Sequence, residues 1–313
     1  MDQSSLLDLA RAILEQPTAP FHEDRVRAEI ERQLTGLPNV SMRRDGFGNV
    51  IASYRHGAAQ PRYAFAAHMD HPGYVEGKFL GGVPEAYRAK NPPTVDFGKF
   101  AMWDLPAFEV KEGRIYSRAC DDLIGCVAIV AMLKELAARE AETAVEGLFT
   151  RGEEVGFVGA IQMARSGELS KDLTVVSLET SSERGGMVRM GEGVIARVGD
   201  RTSIFDSGAT AQLVQLARQH GIRHQRALMS GGTCEATAYQ LYSYRTAGLC
   251  VALGNYHNCA PEERIDSEFV SIDDVDALVQ LCLAAASAGQ EPDLDAAMRA
   301  RLETDMLEYE RYF

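Results

Sequence analysis

The sequence predicts an α/β fold in which a mostly parallel mixed sheet is flanked by helices and carries a small β-rich insertion. Strand-like and helix-like segments alternate after residue 122, and this order is typical of βαβ units with helices on both faces of a sheet. Residues 73–117 differ, because glycine and proline recur there without a helical period. Since long structureless loops are uncommon in compact domains, we interpret this segment as a β-rich insertion.

The individual elements follow from the spacing of apolar residues. Two helices are predicted near the N-terminus, at 4–16 and 23–34, and three short strands follow them, at 40–44, 50–54 and 63–67. The later strands are predicted at 143–150, 173–178, 224–229 and 246–253. The later helices are predicted at 123–138, 158–166, 209–220, 235–242 and 272–286, with an amphipathic helix and its capping residues in the tail, 293–313.

Composition and charge exclude several classes of protein. The chain has 313 residues, of which 46% are hydrophobic, and this is enough for a sizeable core. Its formal net charge of −13 argues against a general nucleic-acid or membrane-surface binder. The N-terminal segment is not that of a signal peptide, and no stretch approaches the ~20 apolar residues of a membrane span. Without a Cys-x-x-Cys pair, neither a zinc ribbon nor a disulfide framework is expected, and a reducing cytoplasm is the simplest setting.

Polar side chains stand at five places where predicted strands end or a helix begins. Ligands in open α/β sheets gather at the carboxyl ends of the strands. Two imidazoles and three carboxylates suit zinc and similar divalent ions, and a shared carboxylate would let two ions lie ~3.5–4 Å apart. The five places are His68 with Asp70, Asp121 with Asp122, Glu153 with Glu154, Glu179, and His257.

Each of these places also has a purely structural explanation. One acid of the pair before the helix can be an N-cap, and the glutamate pair can interact favourably with a helix N-terminus. His68 and His257 can be ordinary polar residues, whereas Glu179, at the end of a valine-rich strand, is costly to bury unless it is paired. Asp70 lies on the same side of an extended chain as His68 and is suited to orient its ring. The joint order of the five places, and no single one, indicates a two-metal hydrolase.

Taken together, these motifs resemble the glutamyl aminopeptidase and tetrahedral aminopeptidase family of cocatalytic di-zinc metallopeptidases. The resemblance runs almost end to end and includes the early PTAPFHEDRVRAEI segment, DGFGNVIA, AAHMD, DDLIGC, EEVGFVGA, MGEGVIARVGD, SGGT and YHN. It implies a di-zinc exopeptidase-like fold with a discontinuous catalytic domain, residues 1–72 and 118–292. The insertion, 73–117, would be an oligomerisation element in a homo-oligomer that is at least a dimer, and a C-terminal helix would span 293–313.

The resemblance also assigns roles residue by residue. It implies two ligand sets that share a bridging aspartate, and these sets are His68, Asp121 and Glu179, and Asp121, Glu154 and His257. It implies that Glu153 is the general base acting on a metal-activated bridging water, and that Asp70 orients His68. The peptide bond between Asp121 and Asp122 would be cis.

The chain departs from the family pattern in ways that leave the substrate open. Glu179 stands where the family usually has aspartate, the GTDAG-like segment is replaced by Gly232–Ala236, and His71 and Pro72 follow the HMD motif. The insertion is also shorter than the family's dimerisation domain. Carboxypeptidase and deacylase relatives often have glutamate at the position of Glu179.

Three functions are therefore weighed. The first is a metal-dependent exopeptidase that removes N-terminal residues from short peptides, with two divalent ions that we expect to be zinc, although cobalt or manganese would also fit. The second is an amidohydrolase or carboxypeptidase, of deacylase type, on the same scaffold. The third is a catalytically silent metal-binding scaffold protein. Arg118, close to the bridging acid, is interpreted either as a substrate anchor or as a structural ion-pair partner.

Overall fold

The centre of the computed structural model is a mixed sheet of eight strands with helices on both faces, which confirms the predicted fold class. The model describes residues 1–57, 59–183, 186, 188–288 and 294–312. The strands are β1 Val40–Arg44, β2 Val50–Arg55, β3 Tyr63–His68, β4 Gly73–Val75, β5 Lys78–Leu80, β6 Thr94–Asp96, β7 Phe100–Trp103, β8 Glu109–Lys111, β9 Arg114–Ser117, β10 Ala144–Thr150, β11 Thr174–Ser182, β12 Val194–Gly199, β13 His224–Leu228, β14 Arg245–Leu253, β15 Cys259–Ala260, β16 Arg264–Ile265 and β17 Glu268–Ser271. The helices are α1 Gln3–Leu14, α2 Asp24–Leu34, α3 Glu85–Arg88, α4 Leu123–Ala138, α5 Val158–Ser166, α6 Ser207–Gln219, α7 Glu235–Leu241, α8 Ile272–Ser287 and α9 Leu294–Tyr309.

The order of the strands brings four carboxyl ends together. The main sheet runs β1-β2-β10-β3-β11-β14-β12-β13. Strands β10, β3, β11 and β14 are parallel neighbours, whereas β1, β2 and β12 join the set by antiparallel pairing. Since parallel strands end at the same edge of a sheet, the segments that follow these four strands start close together, as in other open α/β folds with a ligand site at that edge.

The sheet separates two hydrophobic layers, and alternation along β3 shows this directly. Tyr63, Phe65 and Ala67 belong to the larger cluster, which includes helices α1, α2, α4 and α8. Ala64 and Ala66 belong to a second cluster, which includes residues of α5 and α7. Successive side chains of a strand point to opposite faces, so one strand contributes to both layers.

Helix α4 forms the middle of the larger layer. It packs against α1, α2, α8 and β3. Leu123–Ala138 is apolar on nearly every side and is buried along most of its length, as expected for a helix that is surrounded by other elements. The first turn of this helix is therefore held firmly, and the acidic pair that precedes it takes a fixed position.

Residues 73–117 form short strands in two small sheets. Strands β4 to β7 make a four-stranded sheet in the order β5-β4-β7-β6. Strands β8 and β9 instead form a three-stranded sheet with β17, in which Ser117 pairs with Glu268. The segment is β-rich, but its last strands are tied to a distant part of the chain. The division into a catalytic domain and an insertion that ends at residue 117 stays a prediction.

The tail forms the helix that the sequence predicts, α9, and this helix contacts α6. Its apolar residues are largely exposed, with 51% for Met298, 54% for Leu302 and 52% for Met306. The capping residues expected at its start lie outside the described residues. In the part of the chain that the structure describes, no helix has both the length and the apolar character that a membrane crossing requires.

Candidate metal centre

The five predicted places lie together at the carboxyl edge of the main sheet. His68 is the last residue of β3, and Glu179 lies within β11. We expected Glu179 to end its strand, but β11 continues to Ser182 because its pairing with β14 extends to Leu253. The turns after β10 and β14 and the segment before α4 supply the remaining residues, which are Glu153, Glu154, His257 and Asp121.

Three groups of three side chains bring their ligand atoms within 4.8 Å of one another; one is His68, Glu153 and Glu154, and the other two share Asp121. The two that share it are His68, Asp121 and Glu179, and Asp121, Glu154 and His257. His68 Nε2 lies 3.6 Å from Asp121 Oδ1. His257 Nε2 lies 3.6 Å from Asp121 Oδ2 and 3.3 Å from Glu154 Oε1. Each carboxylate oxygen of Asp121 therefore faces a different imidazole.

This donor set fits divalent metal ions. A tetrahedral zinc ion with ligands at about 2.0–2.2 Å keeps its ligand atoms about 3.3–3.6 Å apart. The imidazole–carboxylate separations of 3.3 and 3.6 Å fall within this range. Moreover, Asp121 Oδ1 and Glu154 Oε1 are buried without a hydrogen-bond partner among the described residues. Because buried acceptors normally have partners, these two oxygens are suited to ligate a cation.

The charges of the cluster also favour a cation. Burial raises the pKa of Glu179 to about 8. Burial raises the pKa of Glu153 as well, and nearby carboxylates add to the effect. For His257, burial lowers the pKa, but the carboxylates of Glu154 and Asp121 outweigh this and raise it to about 9. The rise for His257 reflects the carboxylates around it, whereas the rises for Glu179 and Glu153 come first from burial, which disfavours the charged carboxylates unless a cation is near.

Asp70 holds the turn that carries the glutamate pair. Its carboxylate accepts hydrogen bonds from the backbone N–H groups of Glu153 and Glu154, at 2.9 and 3.1 Å. Its backbone carbonyl accepts a hydrogen bond from His68 Nδ1 at 3.0 Å, whereas the nearest carboxylate oxygen lies 3.6 Å from that nitrogen. Asp70 thus contacts both halves of the site, and its carbonyl makes the closer contact with the ring.

The backbone around Asp121 is held by two residues that the motifs did not identify as functional. Glu268 Oε2 accepts hydrogen bonds from the N–H groups of Cys120 and Asp121, at 2.8 and 3.0 Å. His71 Nδ1 donates to the Asp121 carbonyl at 2.7 Å, and its Nε2 lies 3.0 Å from Asn258 Oδ1. His71 was visible in the sequence only as a departure from the family pattern, and Glu268 stands in no motif.

The two aspartates before α4, Asp121 and Asp122, have different contacts. The peptide bond between Asp121 and Asp122 is cis, as the resemblance implied. Asp122 Oδ1 accepts a hydrogen bond from the N–H of Gly125 at 3.1 Å and caps the helix. The structural explanation therefore holds for Asp122, and Asp121 is left to face the two imidazoles.

A cleft of about 920 Å³ opens beside the cluster. Glu153, Glu154 and His257 line it, and so does Tyr256, whose ring stacks on His257 with centroids 3.9 Å apart. Arg118 does not line this cleft. Its guanidinium packs over the ring of Phe97, at 5.1 Å, so we no longer regard Arg118 as a substrate anchor.

Comparison with known proteins places the chain in a family. The model of the M42 glutamyl aminopeptidase family matches residues 88–281. An aminopeptidase from the archaeon Desulfurococcus kamchatkensis superposes with a TM-score of 0.76 at 18% identity, covering 92% of this chain and 96% of that one. The TET1 peptidase of Pyrococcus horikoshii superposes with a TM-score of 0.73 at 22% identity, covering 90% of this chain and 99% of that one.

These findings first define a class, the metallopeptidases, to which the family model assigns this enzyme. More narrowly, the chain belongs to the M42 glutamyl aminopeptidase family, since the family model covers more than half of its length. The resemblance seen in the sequence motifs is thereby confirmed.

The contacts of Glu268 lead to a prediction about stability. Glu268→Ala should lower the free energy of unfolding by about 2–4 kcal/mol, because two buried N–H groups lose their acceptor. Glu268→Gln should cost less than half as much, since its amide oxygen can accept both hydrogen bonds. Denaturant unfolding of metal-free protein measures both values. Equal losses in the two variants would show that the backbone contacts of this carboxylate are unimportant.

Proposed function

We propose that this protein is a metal-dependent exopeptidase that removes N-terminal residues from short peptides. The observation that carries the proposal is the pair of three-residue groups that share Asp121, beside a cleft that Glu154 and His257 line. Two ions held 3.5–4 Å apart, roughly, are the usual arrangement of two-metal hydrolases. Membership of the M42 glutamyl aminopeptidase family supports the same reaction class.

In this proposal one metal is held by His68, Asp121 and Glu179, and the other by Asp121, Glu154 and His257. When bound, two such ions lower the pKa of water and polarise the scissile carbonyl. We propose zinc as the native metal, because imidazole nitrogen and carboxylate oxygen together suit it, and cobalt or manganese could replace it. The contacts of Asp70 with His68 and with the glutamate turn would keep the two ligand groups in register.

Glu153 is proposed as the general base. It takes a proton from the attacking water and returns it to the leaving amine. Two observations support this role: the side chain lines the cleft, and its Oε2 lies 3.9 Å from His68 Nε2. Burial also raises its pKa well above the ordinary value of a glutamate. Glu154, next to it in the same turn, is the one of the pair that also groups with Asp121 and His257, so we assign the ligand role to Glu154.

An aminopeptidase must distinguish a free amine from an acylated one. In this site the substrate amine, which is positively charged near neutral pH, would approach the carboxylates of Glu153 and Glu154, which line the cleft. A deacylase binds an uncharged amide at the same place, so the negative charge of the carboxylates does not strengthen the binding of its substrate. The acidic surroundings therefore favour the aminopeptidase over the deacylase or carboxypeptidase alternative.

Glu153 argues against a silent scaffold, since a structural metal site has no use for a base.

The setting of the enzyme is also a proposal. The described cysteines are all free and buried, in agreement with a reducing compartment such as the cytoplasm. The proposed partners are short peptides and copies of the same chain, without nucleic acid or membrane.

We propose that the chain forms a homo-oligomer, at least a dimer, with residues 73–117 at or near the interface. The Pyrococcus horikoshii TET1 peptidase, which has the same fold, assembles into a tetrahedron or a large octahedral shell. The four-stranded sheet of residues 73–103 has strands of only three or four residues, and sheets this small are weak as free-standing units.

Light scattering at micromolar concentration should give at least twice the mass of one chain, 34.2 kDa, and a clean monomer would contradict the proposal.

Removal of the shared carboxylate should abolish both metal sites. Asp121→Ala should retain neither ion, because each ligand group loses a member and the two imidazoles lose the negative charge between them. Elemental analysis of the dialysed protein measures the metal-to-chain ratio, which should be near two for the unaltered protein. Retention of one ion in the variant would show that Asp121 does not bridge.

Glu153→Gln is the matched control for that experiment. It removes one carboxylate from the same cleft but leaves both ligand groups complete, so it should keep both ions. Its turnover of leucyl-alanine should fall about 10²–10⁴-fold, as is typical for the loss of a general base. Near-normal turnover would place the base elsewhere.

The choice between aminopeptidase and deacylase is tested with a matched pair of substrates. Leucyl-alanine and N-acetyl-leucyl-alanine are assayed with added zinc, cobalt or manganese. The free peptide should be cleaved at least about tenfold faster, because only its charged amine gains from the carboxylates. Faster cleavage of the acetylated peptide would favour the deacylase, and cleavage of neither peptide would favour the silent scaffold.

A further inference from the structure

The cleft has an apolar patch that the proposed chemistry does not use. Helices α5 and α7 pack against each other, and the patch is formed by the start of α5 and by the end of α7. Glu153 and Glu154 line the same cleft, so the patch adjoins the reacting groups. The patch comprises Phe157, Ile161, Ala238, Leu241 and Tyr242.

The exposure of the patch is unusual for this molecule. Leu241 is 76% exposed, the highest fraction among the large apolar side chains that the structure describes, and Tyr242 is 36% exposed. Single exposed leucines are ordinary, but several apolar side chains grouped in a cleft mark a binding surface. A bound side chain would remove this apolar surface from water, and such burial is favourable in proportion to its area.

The backbone of Phe157 gives a second, independent indication. Its φ and ψ are 60° and 30°, a left-handed conformation that bulky residues rarely adopt. Its N–H donates to the carbonyl of Glu153 at 3.0 Å, so the backbone of Phe157 is held against the turn that carries the proposed base. Such conformations cluster at functional sites, where the surrounding structure holds them.

The charges of the cleft argue against an acidic side chain. Among its lining residues Arg201 is the one lysine or arginine in the part of the chain that the structure describes. Arg201 belongs to the segment that bonds to Gly232, not to the apolar patch. An acidic side chain on the patch would lose its hydration against apolar groups and would lie near Glu153 and Glu154.

We propose that the patch binds a large apolar side chain that flanks the scissile bond, so that the preferred substrates are short peptides with a leucine-like or aromatic residue there. This selectivity rests on the proposed function. Hydrophobic pockets discriminate by about 10–200-fold for small differences in side-chain size. Phe157 and Leu241 are the residues that we expect to determine it.

The experiment measures kcat/KM of the metal-loaded enzyme for leucyl-glycine, glycyl-leucine, alanyl-glycine and glutamyl-glycine. One of the two leucine peptides should exceed alanyl-glycine by at least about tenfold. Leu241→Ser and Phe157→Gly should each reduce this ratio by about threefold or more. Phe157→Gly removes the ring and suits the left-handed backbone, and Leu241→Ser alters an exposed residue, so both variants should fold.

Val110→Ser is the matched control, because Val110 is an apolar residue of β8 that is 43% exposed and does not line the cleft. It should leave the leucine-to-alanine ratio unchanged. Fastest cleavage of glutamyl-glycine would overturn the proposal. Ratios that are unaffected by both cleft variants would overturn it as well.

Binding separates failure of this proposal from failure of the proposed function. Leucine hydroxamate and alanine hydroxamate are titrated into the metal-loaded protein and followed by calorimetry. Tighter binding of the leucine compound, lost in Leu241→Ser, would support the apolar patch even in a protein that cleaves no peptide. Equal binding of the two compounds, together with leucine-to-alanine ratios that neither cleft variant changes, would overturn the patch even in an active aminopeptidase.

Discussion

The rest of the structure depends on one constraint, the burial of several carboxylates at one edge of the sheet. Asp121 and Glu179 are only 3% and 6% exposed, and they lie among further acidic groups. Burial of charge is costly: the buried guanidinium of Arg197 and the imidazole of His68 act to lower the pKa of Glu179, but burial outweighs both. Bound cations would offset the charge of these carboxylates. The same burial that makes the carboxylates unfavourable on their own therefore favours metal binding.

Because the carboxylates of the cluster repel one another, contacts from other segments of the chain must hold its backbone in place. Glu23 provides one such contact: its fully buried carboxylate pairs with Arg151 Nε at 2.8 Å and accepts the N–H of Gly152 at 3.1 Å. Asp70 holds the next two residues of the same loop. The turn that carries the proposed base is thus fixed from the N-terminal segment and from β3. This gives a physical reason for the early PTAPFHEDR motif, which lies far from the site in sequence.

The sequence was sufficient for those parts of the site that depend on local order. His68 and His257 follow apolar strands, and parallel strands end at one edge, so adjacency could be inferred before any coordinates. Long-range pairing could not be inferred. Glu268 reaches Asp121 only because β17 pairs with β9 across about 150 residues of chain, and no local pattern encodes that register. Strand β12, Val194–Gly199, was also missed, since short apolar runs between glycines carry little periodicity.

The small sheets are part of the same physical unit as the candidate centre. A Cβ atom at Gly82 would lie 3.0 Å from Cε1 of His257, so the loop after β5 approaches the imidazole as closely as a glycine allows. On the other side, β8 pairs with β9, and β9 pairs with β17, the strand that carries Glu268. A displacement of residues 73–117 would therefore act on His257 through Gly82 and on Asp121 through Glu268. If copies of the chain meet through this segment, assembly and the geometry of the metal centre cannot be independent, because both depend on the same few contacts.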